Sequence, residues 1–219
     1  MIKKDRLDII YEDKELIVIN KPSRMLTIGT DDDKINNLYH KVYEYLHKKN
    51  KNNRVFIVHR LDKDTSGVIV FAKNEKLKKA LQDNWNECTK REYYAIVEGF
   101  VKDKHGVIKE YLKETKTLLT YSTNDKVNGK YAETEFDVIK ASKSHSILSI
   151  NIKTGRKNQI RVAMQDIKHP IIGDKKYGST KNPLRRVCLH ANKLVLTNPL
   201  NNKVYEFNAP IPQEFKIFN

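Results

Sequence analysis

The chain has 219 residues, with 42 basic side chains against 27 acidic ones and a formal charge of +15. That length suits one sizeable domain or two small ones with a real core, and the charge favours polyanionic partners, nucleic acid before acidic membrane. No apolar run reaches membrane-spanning length, Met1-Ile2-Lys3-Lys4-Asp5 lacks a signal-peptide core, and Cys88 and Cys188 alone make neither a metal site nor a secreted disulfide framework, so a soluble cytoplasmic protein is expected.

Asp8 to Asp13 and Glu15 to Asn20 read as two short strands around a charged turn. The second is almost wholly apolar, as in a strand covered on both faces. Lys21-Pro22-Ser23 ends it, because proline cannot continue a ladder. Asp31-Asp32-Asp33 precedes a helix expected over Ile35 to Lys49, with Ile35, Leu38, Tyr39, Val42, Tyr45 and Leu46 on one face. The acids at its start and Lys48-Lys49 at its end suit the helix dipole.

Val55 to Val58 is a further strand, and Val68 to Ala72 another. Between them lies His59-Arg60-Leu61-Asp62-Lys63-Asp64-Thr65-Ser66-Gly67. Two carboxylates, an arginine and two hydroxyls at such a corner are placed as site residues are, although Asp, Thr, Ser and Gly are also ordinary turn formers. A calcium loop fails here because its twelfth position is Lys73, a cation where a bidentate glutamate is needed. An aspartic-protease pair fails for want of a second Asp-Thr-Ser-Gly corner. An aspartyl-phosphate site fails because Val68, not threonine, stands four residues after Asp64.

Asn74 then caps a helix with Leu77, Ala80, Leu81 and Trp85 inward. Arg91 to Gly99 reads as a strand with Tyr93, Ala95 and Val97 on one face and Tyr94 and Ile96 on the other. From Val107 to Ile152 strands alternate with polar turns, and Asn128-Gly129 carries a hairpin signal. Gly155 allows a turn into a helix whose inward stripe is Ile160, Ala163, Met164 and Ile167. The N–H groups of its first turn, with Arg156 and Lys157 beside them, form a natural phosphate seat. Between 140 and 190 the only acids are Asp166 and Asp174, against a run of lysine and arginine. His169 precedes proline in a turn, and Val187 to Ala191, Lys193 to Leu196 and Val204 to Asn208 supply closing strands.

His59-Arg60-Leu61-Asp62 followed by Thr65-Ser66-Gly67 resembles the signature of the RluA family of RNA pseudouridine synthases. Asn20-Lys21-Pro22 is similar to that family's first motif, and Arg91 to Gly99 to its second, in which lysine is more frequent than this arginine. Thr154-Gly155-Arg156 through Gln159-Ile160-Arg161-Val162 resembles the third, with Lys157-Asn158 and Ala163 where many members carry threonine-histidine and histidine. The loop His169 to Gly178 matches as well, so the resemblance runs from about Ile9 to Phe215 and leaves no segment for an S4-type domain.

The resemblance implies a single catalytic domain over residues 1–219, of α+β class: a mixed, mostly antiparallel sheet flanked by helices and loops around a central cleft. It implies Asp62 as nucleophile, Tyr93 stacked on the target base and a candidate for removing the C5 proton, and Arg161 as ion-pair partner of Asp62. Arg60 is then the wedge into the space left by the extruded uridine, and Thr65, Arg156, Lys157 and Gln159 complete the substrate contacts. The reaction is redox-neutral, so no metal and no cofactor is expected. The expected partner is structured ribosomal or transfer RNA, and the expected state a monomer. A non-catalytic RNA-binding or assembly factor on the same fold is the alternative, and a general DNA-binding protein a weaker one, since no helix-turn-helix stands out.

Overall fold

A computed structural model describes residues 7–29 and 34–218. The chain divides into two compact units, the first running to Thr89 and resuming over Asn192–Pro210, the second made of Lys90–Ala191 and the residues from Ile211 onward. Strands and helices are numbered in chain order. Every register between paired strands given below is antiparallel, and a few helices accompany the strands, so the class is the expected α+β.

In the first unit β1 (Ile9–Glu12) pairs with β2 (Leu16–Lys21), and β2 pairs along its whole length with β4 (Ser66–Ala72). All seven residues of β4 are buried, which is why its sequence shows no polar alternation. The two-residue strand β3 (Phe56–Ile57) also pairs with β4. Strand β10 (Leu189–Thr197) passes from the second unit into the first and pairs there with β11 (Val204–Asn208). The core joins Leu16, Val18, Val68 and Val70 to Leu77 and Leu81 of helix α2 (Glu75–Asp83) and to Leu194 and Leu196. Each such side chain contributes about 1.5–3 kcal/mol through burial. Asn74 caps α2 as expected, its side chain accepting the Leu77 N–H at 2.8 Å. The short helix α3 (Trp85–Cys88) follows.

Helix α1 covers Leu38–Lys49, three residues shorter at its start than the sequence suggests. Asn37, 1% exposed, takes the cap: its Oδ1 accepts the His40 N–H at 3.0 Å. Ile35 therefore lies before the helix and is 61% exposed instead of facing inward. The first turn carries no acid, and Asp31-Asp32-Asp33 lies outside the described residues. The C-terminal lysine does find a partner. Lys49 and Lys73 clasp Glu12 at 2.9 and 3.0 Å, tying the end of α1 to β1.

In the second unit the strand order is β5 (Thr89–Glu98), β9 (His145–Ile152), β8 (Lys130–Ala141), β6 (His105–Glu114), β7 (Thr120–Thr123). The Asn128-Gly129 signal does mark a turn, but not a hairpin between neighbours. β7 and β8 both pair with β6, which lies between them. Asp125 organises the turn instead, its Oδ1 accepting the N–H groups of Val127 and Asn128 at 3.1 and 3.0 Å. Neither Asn128 nor Gly129 has the positive φ that a tight type I′ hairpin turn requires.

Helix α4 (Gln159–Asp166) packs against β6, β7 and β8, and everything from Gln159 to Met164 is buried. The inward stripe of Ile160, Ala163 and Met164 holds, while Ile167 falls at the cap and is half-buried. A small core of Leu112, Ala132, Val162 and Tyr177 sits beneath it.

Candidate active site

The corner that carries Asp62 is braced from below by the segment after β2. Lys21 ends β2 with its side chain wholly buried. Its ammonium donates to the carbonyls of Met25 at 2.7 Å, Pro22 at 3.1 Å and Lys63 at 3.2 Å. A buried cation is tolerable only with such compensation. Ser23 Oγ donates to the Asp64 carbonyl at 2.7 Å, and the Thr27 hydroxyl both donates to the Leu61 carbonyl and accepts the Leu61 N–H. Residues 61, 63 and 64 are thus held by side chains from 21–27. This is the structural content of the Asn20-Lys21-Pro22 motif.

Within the corner, the Thr65 N–H donates to the Asp62 carbonyl at 3.2 Å, closing a turn. Gly67 follows at φ 115°, a conformation a side chain would strain. Asp62 is half-buried and Arg60 exposed. Neither the sealed interior nor full hydration is imposed on the carboxylate. Thr65 is only 2% exposed, so it serves the turn rather than offering its hydroxyl at the surface. His59 is fixed on two sides. Its Nε2 accepts the Val70 N–H at 3.0 Å, and its ring stacks on Trp85 with centroids 4.4 Å apart. That contact accounts for the lone tryptophan.

In the second unit β5 places Tyr93, 9% exposed, opposite Ile150 of β9 and on the same face as Arg91, Ala95 and Val97. Arg91 is 6% exposed and donates from Nη2 to the Lys153 carbonyl at 3.1 Å. Its guanidinium lies beneath Gly155, where an added Cβ would approach Nη1 to 3.0 Å. The loop that leads into α4 therefore rests on a buried positive charge.

The start of α4 differs from a simple open helix N-terminus. The Arg156 N–H, offered by the sequence as part of a phosphate seat, donates instead to Gln159 Oε1 at 3.0 Å. The Thr154 hydroxyl donates to the same oxygen at 2.8 Å. Gln159 Nε2 donates to the Glu133 carbonyl and the Thr134 hydroxyl of β8. Gln159 is 3% exposed, and its amide is saturated by protein, so it locks the loop to the sheet. Arg156 and Lys157 do remain at the surface. The Arg156 Nε donates to the Tyr131 carbonyl, and Lys157 pairs with Glu114.

Arg161 is 5% exposed and held by partners that the spacing of the sequence did not single out. Nε and Nη2 reach the two carboxylate oxygens of Asp174 at 2.6 and 2.7 Å. Nη1 donates to Asn158 Oδ1 at 2.8 Å. The ring of Tyr177 lies 4.7 Å from the guanidinium carbon, a cation–π distance. Asn158 adopts a left-handed backbone, φ 54°, at the N-cap, and its amide also reaches Thr120.

Asp174 is itself fixed by the loop around it. Gly173 has φ 85°, and a Cβ there would meet the Arg186 carbonyl oxygen at 1.9 Å. Glu98 anchors the far side of the loop. Burial raises its carboxyl pKa, but bonds from Ser179, Lys181 and Thr180 outweigh that and hold it below the usual range. His169, expected as a turn residue, also ties this loop to β5, its Nδ1 lying 2.8 Å from the Glu98 carbonyl. Among the described residues no group of three His, Cys, Asp or Glu side chains could hold a metal ion, and no helix is long and apolar enough to cross a membrane.

Residues 15–166 match the RNA pseudouridylate synthase family. The chain is 34% identical over 215 residues to the Bacillus subtilis RNA pseudouridine synthase YhcT, covering 96% of this chain and 70% of that one. It is 36% identical over 218 residues to the ribosomal large subunit pseudouridine synthase D of Borreliella burgdorferi, covering 96% and 67%. It is 32% identical over 247 residues to tRNA pseudouridine synthase C of Haemophilus ducreyi, covering 97% and 95%. The structure of human RNA pseudouridylate synthase domain containing 4 shares the fold, with a TM-score of 0.79 over 95% of this chain and 90% of that one at 23% identity.

Proposed function

The chain belongs to the RNA pseudouridylate synthase family, an isomerase family acting on RNA, and from that premise we propose that Asp62 is its nucleophile and structured ribosomal or transfer RNA its substrate. Pseudouridine formation breaks the bond between uracil N1 and the ribose, turns the base, and rejoins it through C5. A carboxylate can open that sequence by attack, and the uridine must leave its stack to reach it. Relatives named for the large ribosomal subunit and for transfer RNA support the substrate class.

The observation that carries the reading is the braced turn. Lys21, Ser23 and Thr27 fix the backbone on both sides of Asp62 while its side chain stays half-exposed. A nucleophile needs this combination of fixed position and access. In the reading Arg161 pairs with Asp62, because an adjacent guanidinium keeps a carboxylate ionised where water is excluded. Tyr93 stacks on the uracil and is a candidate for removing the C5 proton, as is a water; stacking is worth about 1–3 kcal/mol per base. Arg60 fills the vacated space, Arg156 and Lys157 meet flanking phosphates, and Thr65 and Gln159 contribute by holding their loops. The reading also takes the protein to be a cytoplasmic monomer, with residues 1–219 acting as one catalytic domain.

The test is incubation of the pure protein with unmodified total RNA, followed by mapping of new pseudouridines. Wild type is expected to modify defined positions and Asp62→Ala none, with RNA affinity within about threefold of wild type. Modification retained in Asp62→Ala overturns the assignment.

A further inference from the structure

A cavity of about 360 Å³ lies in the second unit, where the Asp125–Lys130 turn faces the Gly155–Lys157 loop. Its lining includes buried Leu112 and Thr120 and exposed Asn128, Lys130, Arg156 and Lys157. Its cations differ in how they are compensated. Lys113 is bound to Asp125 at 2.9 Å, and Lys157 to Glu114. Lys130 and Arg156 have no carboxylate partner among the described residues. The Arg156 guanidinium is nonetheless fixed in place by its bond to the Tyr131 carbonyl. The buried Arg91 guanidinium adds positive charge behind Gly155.

We propose that this recess seats one phosphate-linked nucleotide of the RNA substrate other than the target uridine. The proposal rests on the reading of the chain as acting on RNA, and deepens it by giving the phosphate contact of Arg156 and Lys157 a recess that Lys130 and Asn128 complete. Lys130 and Arg156 supply charge for the phosphate, Asn128 offers an amide to a base or ribose, and Leu112 supplies apolar wall. The Lys157–Glu114 pair becomes a competitor: a phosphate that reaches Lys157 displaces an exposed carboxylate, a pair worth little in water. None of this involves the Asp62 corner. The seat is built jointly by the β6–β8 excursion, which carries none of the family motifs, and by the Gly155–Lys157 loop of the third motif.

The experiment uses the full chain with Asp62→Asn, so that RNA is bound without turnover. Fluorescence anisotropy with a labelled transcript that wild type modifies is followed across a salt series, with and without Lys130→Glu. Affinity is expected to fall about tenfold, and the slope of log affinity against log salt to shrink by about one phosphate contact, roughly 0.7–0.9. A photo-crosslinker on Lys130→Cys is expected to join the RNA at a nucleotide distinct from the modified one. Unchanged affinity and slope in Lys130→Glu overturn the proposal, as does a crosslink confined to the target uridine. Affinity for polyglutamate that drops in Lys130→Glu while RNA affinity holds also overturns it, assigning the recess to an acidic protein. If wild type modifies no transcript, the function reading fails instead, and the same salt series on total RNA still decides the seat.

Discussion

Arg161 and Asp174 form a two-pronged pair, Nε to Oδ2 at 2.6 Å and Nη2 to Oδ1 at 2.7 Å, with side chains 6% and 1% exposed. A pair this enclosed is held for geometry more than for net stability, because desolvation of both charges consumes most of the attraction. Its effect is to fix the plane of the guanidinium. Removing the acid would leave a buried cation short of its main partner, at a cost of about 3–5 kcal/mol.

Asp174→Asn is therefore expected to lower the urea midpoint markedly and to reduce kcat/KM at least tenfold under conditions where the variant is folded. Circular dichroism against urea and turnover on an unmodified transcript that wild type modifies check this. Full activity in a folded Asp174→Asn protein contradicts the orienting role.

Asn158 separates backbone strain from side-chain contact. At φ 54°, alanine carries the left-handed penalty of about 1–2 kcal/mol, and glycine does not. Both lose the bond to Arg161 Nη1. Asn158→Ala should be the less stable of the two, by about 1 kcal/mol, while both lower turnover by a similar factor. Equal stability of the two would show that the loop relaxes out of the left-handed region.

Lys21→Met keeps the length of the stem and removes the donor to three carbonyls. Each unsatisfied buried acceptor costs about 1–3 kcal/mol, so a loss of about 2–4 kcal/mol after partial relaxation is expected. The Lys63 carbonyl is one of the three, so activity should fall beyond the loss of folded protein. Hydrogen exchange over residues 60–66 should rise with it. Unaltered exchange there would rule out the brace.

Glu110 gives a pH dependence. Its two carboxylate oxygens are buried, with the Asp166 carboxylate close by. Burial first, and then the Asp166 carboxylate, pushes its pKa from 4.5 up to about 8. The folded state thus holds a proton that the unfolded chain releases near 4.5. This group's contribution is fully present below pH 4.5 and is lost as pH rises towards 8. Glu110→Gln should remove that part of the slope, so that the stability difference, variant minus wild type, grows from pH 5 to pH 8. Urea titrations at four pH values measure it; a constant difference refutes the assignment.

Much of this architecture is readable in the chain. The unbroken apolar run of β4 reads as a buried strand, Asn74 as a cap, and the stripe of α4 as an inward face, because these signals are local. The corner around Asp62 is readable as well, from the density of functional groups between two strands. Arg161 could be found by its motif, but its partner could not. Asp174 lies thirteen residues on, placed by the Gly173 conformation and by Glu98 gripping Ser179 to Lys181. Asn158 read as a departure from the family pattern and turned out to hold Arg161. The Asn128-Gly129 turn misled because β6 comes between the strands it joins, a long-range fact no dipeptide encodes. Ile35 fell outside α1 because a buried asparagine side chain, not the hydrophobic stripe, sets where that helix starts.

The Val70 N–H donates to His59 Nε2 at 3.0 Å. An amide hydrogen needs a lone pair to meet, so that imidazole nitrogen cannot also carry a hydrogen. The neutral ring is then fixed as the Nδ1–H tautomer. Proton traffic during isomerisation cannot pass through that nitrogen without tearing an amide from its acceptor. On that side the imidazole at the head of the signature is masonry, tying the corner to β4.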